Sequence, residues 1–165
     1  MKKEYEKLVE EHGLNLTKLC LSLCNNSIDA QDLYQSTWEK VFRKYKLYKK
    51  EQPFEKWLFS VCINTHRDML KRFDVRRAFR FNSSDEQELF LSSIPFYEEE
   101  KDDYISLHNA LNILRREQRE VIVLYYFKDY SISELSEILS IPEGTVKSRL
   151  HKARELLKKE LNFDE

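Results

Sequence analysis

The segment from Ser131 to Arg154 leaves this chain little choice of local structure. It opens with Ser131-Ile132-Ser133-Glu134. In that pattern a Ser hydroxyl and a Glu three residues later each satisfy the other's backbone N–H at a helix start. A short amphipathic run follows, and Ile141-Pro142-Glu143-Gly144 then interrupts it. Gly144 is one of only two glycines in the chain. Beyond it, Thr145 to Arg154 forms a second, basic amphipathic pattern. A short helix, a tight turn and a basic second helix read as a helix-turn-helix, expected at about 132–139 and 143–160. In such a unit the second helix enters the major groove of DNA.

Winding the second helix at about 100° per residue puts Val146, Leu150, Ala153 and Leu157 on one inward face. Ser148, His151 and Lys152 point the opposite way, with Lys147 and Thr145 on the flanks. Lysine can donate to guanine edges, and Ser or His can serve bases or phosphates. Gly144 at the helix start lets backbone amides come close to a phosphate. Lys158 and Lys159 suit phosphate more than bases. An ordinary amphipathic helix with a solvated charged face would show the same pattern.

The rest of the chain has the composition of an all-α protein. Two glycines and three prolines in 165 residues leave few turns for a sheet, and 41% hydrophobic residues can supply helical cores. No apolar run approaches the roughly 18 residues of a membrane span. The charged start Met1-Lys2-Lys3-Glu4 does not read as a signal peptide. Three cysteines fit no disulfide framework, so a reduced, cytoplasmic setting is expected.

The net charge of −1 hides strong blocks. Residues 36–80 hold thirteen Lys/Arg against five Asp/Glu, whereas residues 81–105 hold one Lys against eight acids. A basic surface followed by an acidic tether is the natural reading.

Periodicity predicts a helix over 2–12 ending near Gly13 and a second through Leu14–Cys24. A third is capped by Asp29 and has Ala30, Leu33, Tyr34, Thr37, Val41 and Tyr45 in its core stripe. A fourth runs from Pro53 to about Phe73, with Phe54, Trp57, Leu58, Val61, Thr65 and Met69 inward. Helical patterns resume at 104–114 and 117–127. The expected organisation is two small helical domains, 1–75 and 104–165, joined by a flexible acidic linker at 76–103.

On the fourth helix Lys56, Ser60, Asn64, Arg67 and Lys71 form an edge away from Trp57. That edge could track a phosphate backbone or unpaired bases, or it could be a solvated basic face. Cys20/Cys24 and Cys62/His66 are spaced four apart, but the sequence shows no further ligands close by, so no metal is expected. No phosphate loop, nucleophile elbow or metalloprotease motif is present. No cofactor, catalytic residue or small-molecule substrate is expected.

Asp29-Ala30-Gln31-Asp32-Leu33-Tyr34-Gln35-Ser36-Thr37-Trp38 resembles region 2 of the bacterial extracytoplasmic-function sigma factors, as does Pro53 to Leu58 followed by Asn64-Thr65. Gln118-Arg119-Glu120-Val121 and Ile141 to Arg154 resemble region 4 of the same family. The matches keep the family's order and cover about 14–73 and 107–160.

The resemblance implies a transcription initiation factor, not an enzyme, whose partners are core RNA polymerase and promoter DNA. It implies that Asp32, Gln35 and Glu39 meet the polymerase clamp. The end of the third helix, the following loop and the fourth helix would open the downstream (−10) element. Asn64 would lie near the melted strand, with Lys56, Arg67 and Lys71 beside it. Thr145, Lys147, Ser148, His151 and Lys152 would read the upstream (−35) element. The acidic linker would thread polymerase. An anti-sigma factor, often membrane-anchored, is a further implied partner.

The chain departs from the family pattern at Ser36, Trp38, Arg115, Ser136 and Ser140. At Arg115 the family often has Pro, at Ser136 Ala and at Ser140 Gly. A helix-turn-helix regulator acting without polymerase is the alternative, but it leaves the basic edge and the region 2 resemblance unused.

Overall fold

The computed structural model describes residues 1–73 and 108–160. The chain divides into two compact units, Met1–Glu88 and Leu89–Glu165. Every element longer than a turn is a helix among the described residues. The expected acidic linker, and the start of the helix expected from 104, lie outside the described residues.

The first unit packs three helices against one another. They are α1 (Lys2–Leu23), α2 (Ser27–Lys44) and α3 (Phe54–Phe73). Leu16, Leu19, Leu33, Val41, Leu58, Phe59 and Ile63 are fully buried between them. Each contributes roughly 1.5–3 kcal/mol through apolar surface removed from water.

α1 is one helix, where the sequence predicts two with a break at Gly13. Gly13 sits inside it because the partner helix comes close: a Cβ there would lie 3.0 Å from the Tyr34 hydroxyl oxygen. Thr17 donates its hydroxyl to the Gly13 carbonyl at 2.8 Å, within the unbroken helix. The helix-breaking tendency of glycine, about 1 kcal/mol against alanine, is outweighed by packing.

The start of α2 also differs from expectation. Asn26, not Asp29, is the cap; its Oδ1 accepts from the Asp29 N–H at 2.8 Å. Asp29 sits three residues later and accepts from Asn26 Nδ2 at 2.8 Å. Asparagine takes the extended backbone that a cap needs (φ −145°, ψ 162°), while Asp29 is already helical.

Pro53 stands just outside α3, its carbonyl accepting from the Trp57 N–H. The buried face of α3 is Leu58, Phe59, Cys62, Ile63, Thr65 and His66. Phe54, Trp57, Val61 and Met69, expected inside, are half-buried at its margin. α3 packs on both α1 and α2, so its inward face is wider than one apolar stripe and centred elsewhere.

In the second unit, helical residues 108–111 and a turn through 114 bury Leu111 and Leu114, and α4 (Arg116–Lys128), α5 (Ile132–Leu139) and α6 (Glu143–Glu160) follow. Val121, Leu124, Leu135, Leu139, Val146, Leu150 and Ala153 fill the core. α4 packs on both α5 and α6.

Candidate nucleic-acid interface

In the second unit the cap pattern forms as read. The Glu134 N–H donates to Ser131 Oγ at 3.1 Å, and the Ser131 N–H donates to Glu134 Oε2 at 2.8 Å. α5 then ends at Ser140, which takes the left-handed conformation (φ 55°, ψ 47°) where glycine is common. The Ser140 and Ile141 N–H groups both donate to the Ser136 carbonyl. The Ser136 hydroxyl donates to the Ile141 carbonyl. The departures at 136 and 140 therefore sit in one turn, where the Ser136 carbonyl holds the strained Ser140 N–H and the Ser136 hydroxyl ties down the next residue.

α6 buries Val146, Leu150 and Ala153 and exposes Lys147, Ser148, His151 and Lys152. Thr145 is half-buried, and its carbonyl accepts from Ser148 Oγ at 3.1 Å. These side chains make the outward face that the periodicity predicts. A Cβ on Gly144 would meet no atom within 4 Å, so no packing within the unit requires glycine there.

One arginine nearby works inside the unit. Arg154 donates from Nε to the Tyr126 hydroxyl at 2.8 Å and lies 5.1 Å from the Tyr125 ring centre, joining α6 to α4. The hydrogen bond to Tyr126 strengthens the guanidinium's hold on its proton. The Glu117 carboxyl is held below the usual range by its own backbone N–H, against partial burial, with the neighbouring positive charges of Arg116 and Arg149 adding to the effect.

The run Gln118-Arg119-Glu120 is likewise structural. Gln118 Oε1 accepts from the Arg115 N–H at 3.1 Å, a bond that proline at 115 could not make. Glu120 is fully buried and pairs with Arg116 at 3.0 Å.

In the first unit Asp32, Gln35 and Glu39 are all exposed on α2, away from Leu33, Thr37 and Val41. On the α3 edge Asn64 and Lys71 are exposed, while Lys56 and Arg67 are half-buried and engaged by neighbours. Lys40 bonds Asp68 at 3.0 Å and ties α2 to α3; this contact holds the Asp68 carboxyl below the usual range.

The sequence reading places Tyr45, Phe54 and Trp57 in inward stripes, and here the structure differs. Tyr45, Tyr48, Phe54 and Trp57 are half-buried around the loop that joins α2 to α3. The rings of Tyr48 and Trp57 lie 5.2 Å apart, and Tyr48 donates its hydroxyl to the Gln52 carbonyl at 2.6 Å. Aromatics flanking Lys49–Pro53 on both sides were the signal for this cluster.

Cys20 and Cys62 meet in the core with sulfurs 3.9 Å apart, and burial pushes the Cys20 thiol up. Among the described residues no three His, Cys, Asp or Glu side chains converge as a metal site. Nor is any described helix long and apolar enough to cross a membrane.

Comparison with known proteins matches the two units separately. Residues 8–81 match the family model "Sigma-70 region 2", and residues 104–157 match "Sigma-70, region 4". The Mycobacterium tuberculosis ECF RNA polymerase sigma factor SigL is 32% identical over 151 residues, covering 88% of this chain and 82% of the relative. Bacillus subtilis RNA polymerase sigma factor SigV is 24% identical over 160 residues, covering 95% and 90%. Among solved structures, the sigma factor RpoE of Bartonella quintana, in complex with the anti-sigma factor NepR, is similar with a TM-score of 0.79. It is 25% identical, covering 99% of each chain.

Proposed function

The chain belongs to the extracytoplasmic-function sigma factors of RNA polymerase, and from that premise we propose how its two units divide the work of starting transcription. The observation that carries the reading is the occurrence of region 2 and region 4, in order, on one chain of two compact units. A self-sufficient helix-turn-helix regulator would need only the second.

In this reading residues 104–165 hold the complex at the upstream element. Thr145, Lys147, Ser148, His151 and Lys152 face the groove, supported by their shared outward side on α6. Residues 1–75 dock on core polymerase through Asp32, Gln35 and Glu39, which are exposed together on α2. Asn64 contacts the opened downstream strand, with Lys56, Arg67 and Lys71 along the same helix. Residues 76–103 form the acidic tether between them. The protein acts in the cytoplasm as an initiation factor without catalysis of its own. An anti-sigma factor restrains it, as NepR partners the similar RpoE.

In vitro transcription with bacterial core enzyme tests the reading. The protein is expected to bind core and direct initiation from promoters selected out of a random-sequence library. Failure of both core binding and directed initiation would end it.

A further inference from the structure

The loop between α2 and α3 begins at a 3₁₀ turn, Tyr45–Leu47, and ends at Pro53. Tyr48 closes that turn by donating its N–H to the Tyr45 carbonyl at 3.1 Å. The Tyr45 side chain is held from outside the loop. Its hydroxyl donates to Glu4 Oε1 at 2.8 Å, forty-one residues earlier in the chain. The Tyr5 ring meets Tyr45 edge-on at 5.5 Å and packs on Phe42 at 4.6 Å. Tyr45 in turn lies 6.1 Å from Tyr48 and 6.4 Å from Phe54, and Tyr48 reaches Trp57. A continuous line of rings thus runs from the first turn of α1, through the loop, to the start of α3.

We propose that Glu4 and Tyr5 are positioning residues for promoter opening: through Tyr45 they set the conformation of the 45–53 loop that receives the opened strand. Both precede residue 8, where the match to region 2 begins, so the family resemblance assigns them no role. The inference rests on the reading of the first unit as the strand-opening domain.

The chemistry suits a positioning contact. The Glu4 carboxylate is a charged acceptor, and charge-assisted hydrogen bonds are about twice as strong as neutral ones. The same bond pushes the Tyr45 hydroxyl up to about 12, as expected for a phenol that donates to a carboxylate. The loop is anchored at its far end by the Tyr48 hydroxyl on the Gln52 carbonyl, while its 3₁₀ turn buries no residue and leaves Leu47 74% exposed, so at the near end the Glu4 bond adds a tether from outside the loop. A loop ordered before DNA arrives loses less conformational entropy on binding.

The test uses full-length protein assembled with bacterial core polymerase. One probe is a duplex that the wild-type holoenzyme selects from a random library, and the other is the isolated non-template strand of that duplex. Glu4→Ala and Tyr45→Phe are each expected to lower single-strand affinity and permanganate reactivity of the opened region roughly threefold or more. The double variant is expected to lose no more than either single one. Glu4→Gln keeps a neutral acceptor and is expected to restore about half of the loss, as the charge-assisted bond is about twice as strong as a neutral one. Core affinity, binding to the closed duplex and melting temperature stay near wild type.

Unchanged strand affinity in the variants overturns the proposal. So does a loss that follows core affinity or melting temperature, which marks the contact as merely structural. A wild-type holoenzyme that neither selects a duplex nor holds the strand sinks the functional reading together with the inference. If wild type opens DNA and the variants match it, the positioning role alone fails.

Discussion

Lys152 and Arg154 stand two residues apart on α6 and have different surroundings. Lys152 is exposed on the outward face, whereas Arg154 is tied to the Tyr126 hydroxyl and lies against the Tyr125 and Tyr126 rings. Lys152→Ala is therefore expected to weaken upstream-element binding and leave core affinity intact. If the lysine meets a phosphate, the slope of log affinity against log salt falls by about 0.9; if it meets a base, the loss is about 1–3 kcal/mol and depends on sequence. Binding titrations at several salt concentrations, on the selected duplex and on a scrambled one, separate the two. Unaltered affinity on both would remove Lys152 from the interface. Sequence periodicity is enough to place Lys152 outward, because an amphipathic helix has only one way to bury Val146 and Leu150. It gives no way to see that Arg154 is occupied, since the tyrosines lie on another helix.

At the scale of elements, two contacts set how helices meet. The turn from α5 to α6 pairs a residue in an unfavourable backbone region with a hydroxyl that compensates. Ser140→Gly is expected to stabilise the protein by about 1 kcal/mol by relieving the left-handed conformation. Ser136→Ala is expected to cost about 1 kcal/mol, the usual net value of a lost hydrogen bond. Urea denaturation checks both, and a destabilising Ser140→Gly would contradict the strain argument. The second contact is Lys40–Asp68, between α2 and α3. The folded carboxyl titrates below its unfolded value, so its stabilisation is present above about pH 4 and is lost as acid protonates it. The Asp68 side chain is 53% exposed, so Asp68→Asn is expected to cost less than about 1 kcal/mol at pH 7. That difference should shrink progressively as the pH falls below about 4 in paired denaturation curves; a gap that stays constant with acid would mean the ion pair is not its cause. Helix starts and stops are only partly legible in sequence. The box at Ser131 is local and forms as read, whereas Gly13 looks like a terminator until Tyr34 of α2 is seen against it.

For the whole molecule, the division into two units makes the two DNA tasks separable. Asn64→Ala is expected to reduce permanganate reactivity at the opened element while core binding and upstream-element binding persist. Combined with Lys152→Ala, its free-energy cost at a promoter needing both elements should add within about 0.5 kcal/mol, as for independent sites. Strong non-additivity in abortive-initiation assays would show that the units do not act separately. The all-α class, the helix-turn-helix with its outward face and the order of the two signatures were determined by the sequence alone. Each depends on interactions within about four residues, or on a single stripe per helix. Tertiary packing decided which of two adjacent faces of α3 turned inward, whether Gly13 ended a helix, and which aromatics gathered at the 45–53 loop. Those outcomes depend on what another helix presents at the same point: the Tyr34 hydroxyl at Gly13, two neighbours along α3, and Glu4 and Tyr5 beside Tyr45. Contacts between residues some twenty to forty positions apart leave no period in a single sequence from which they could be read.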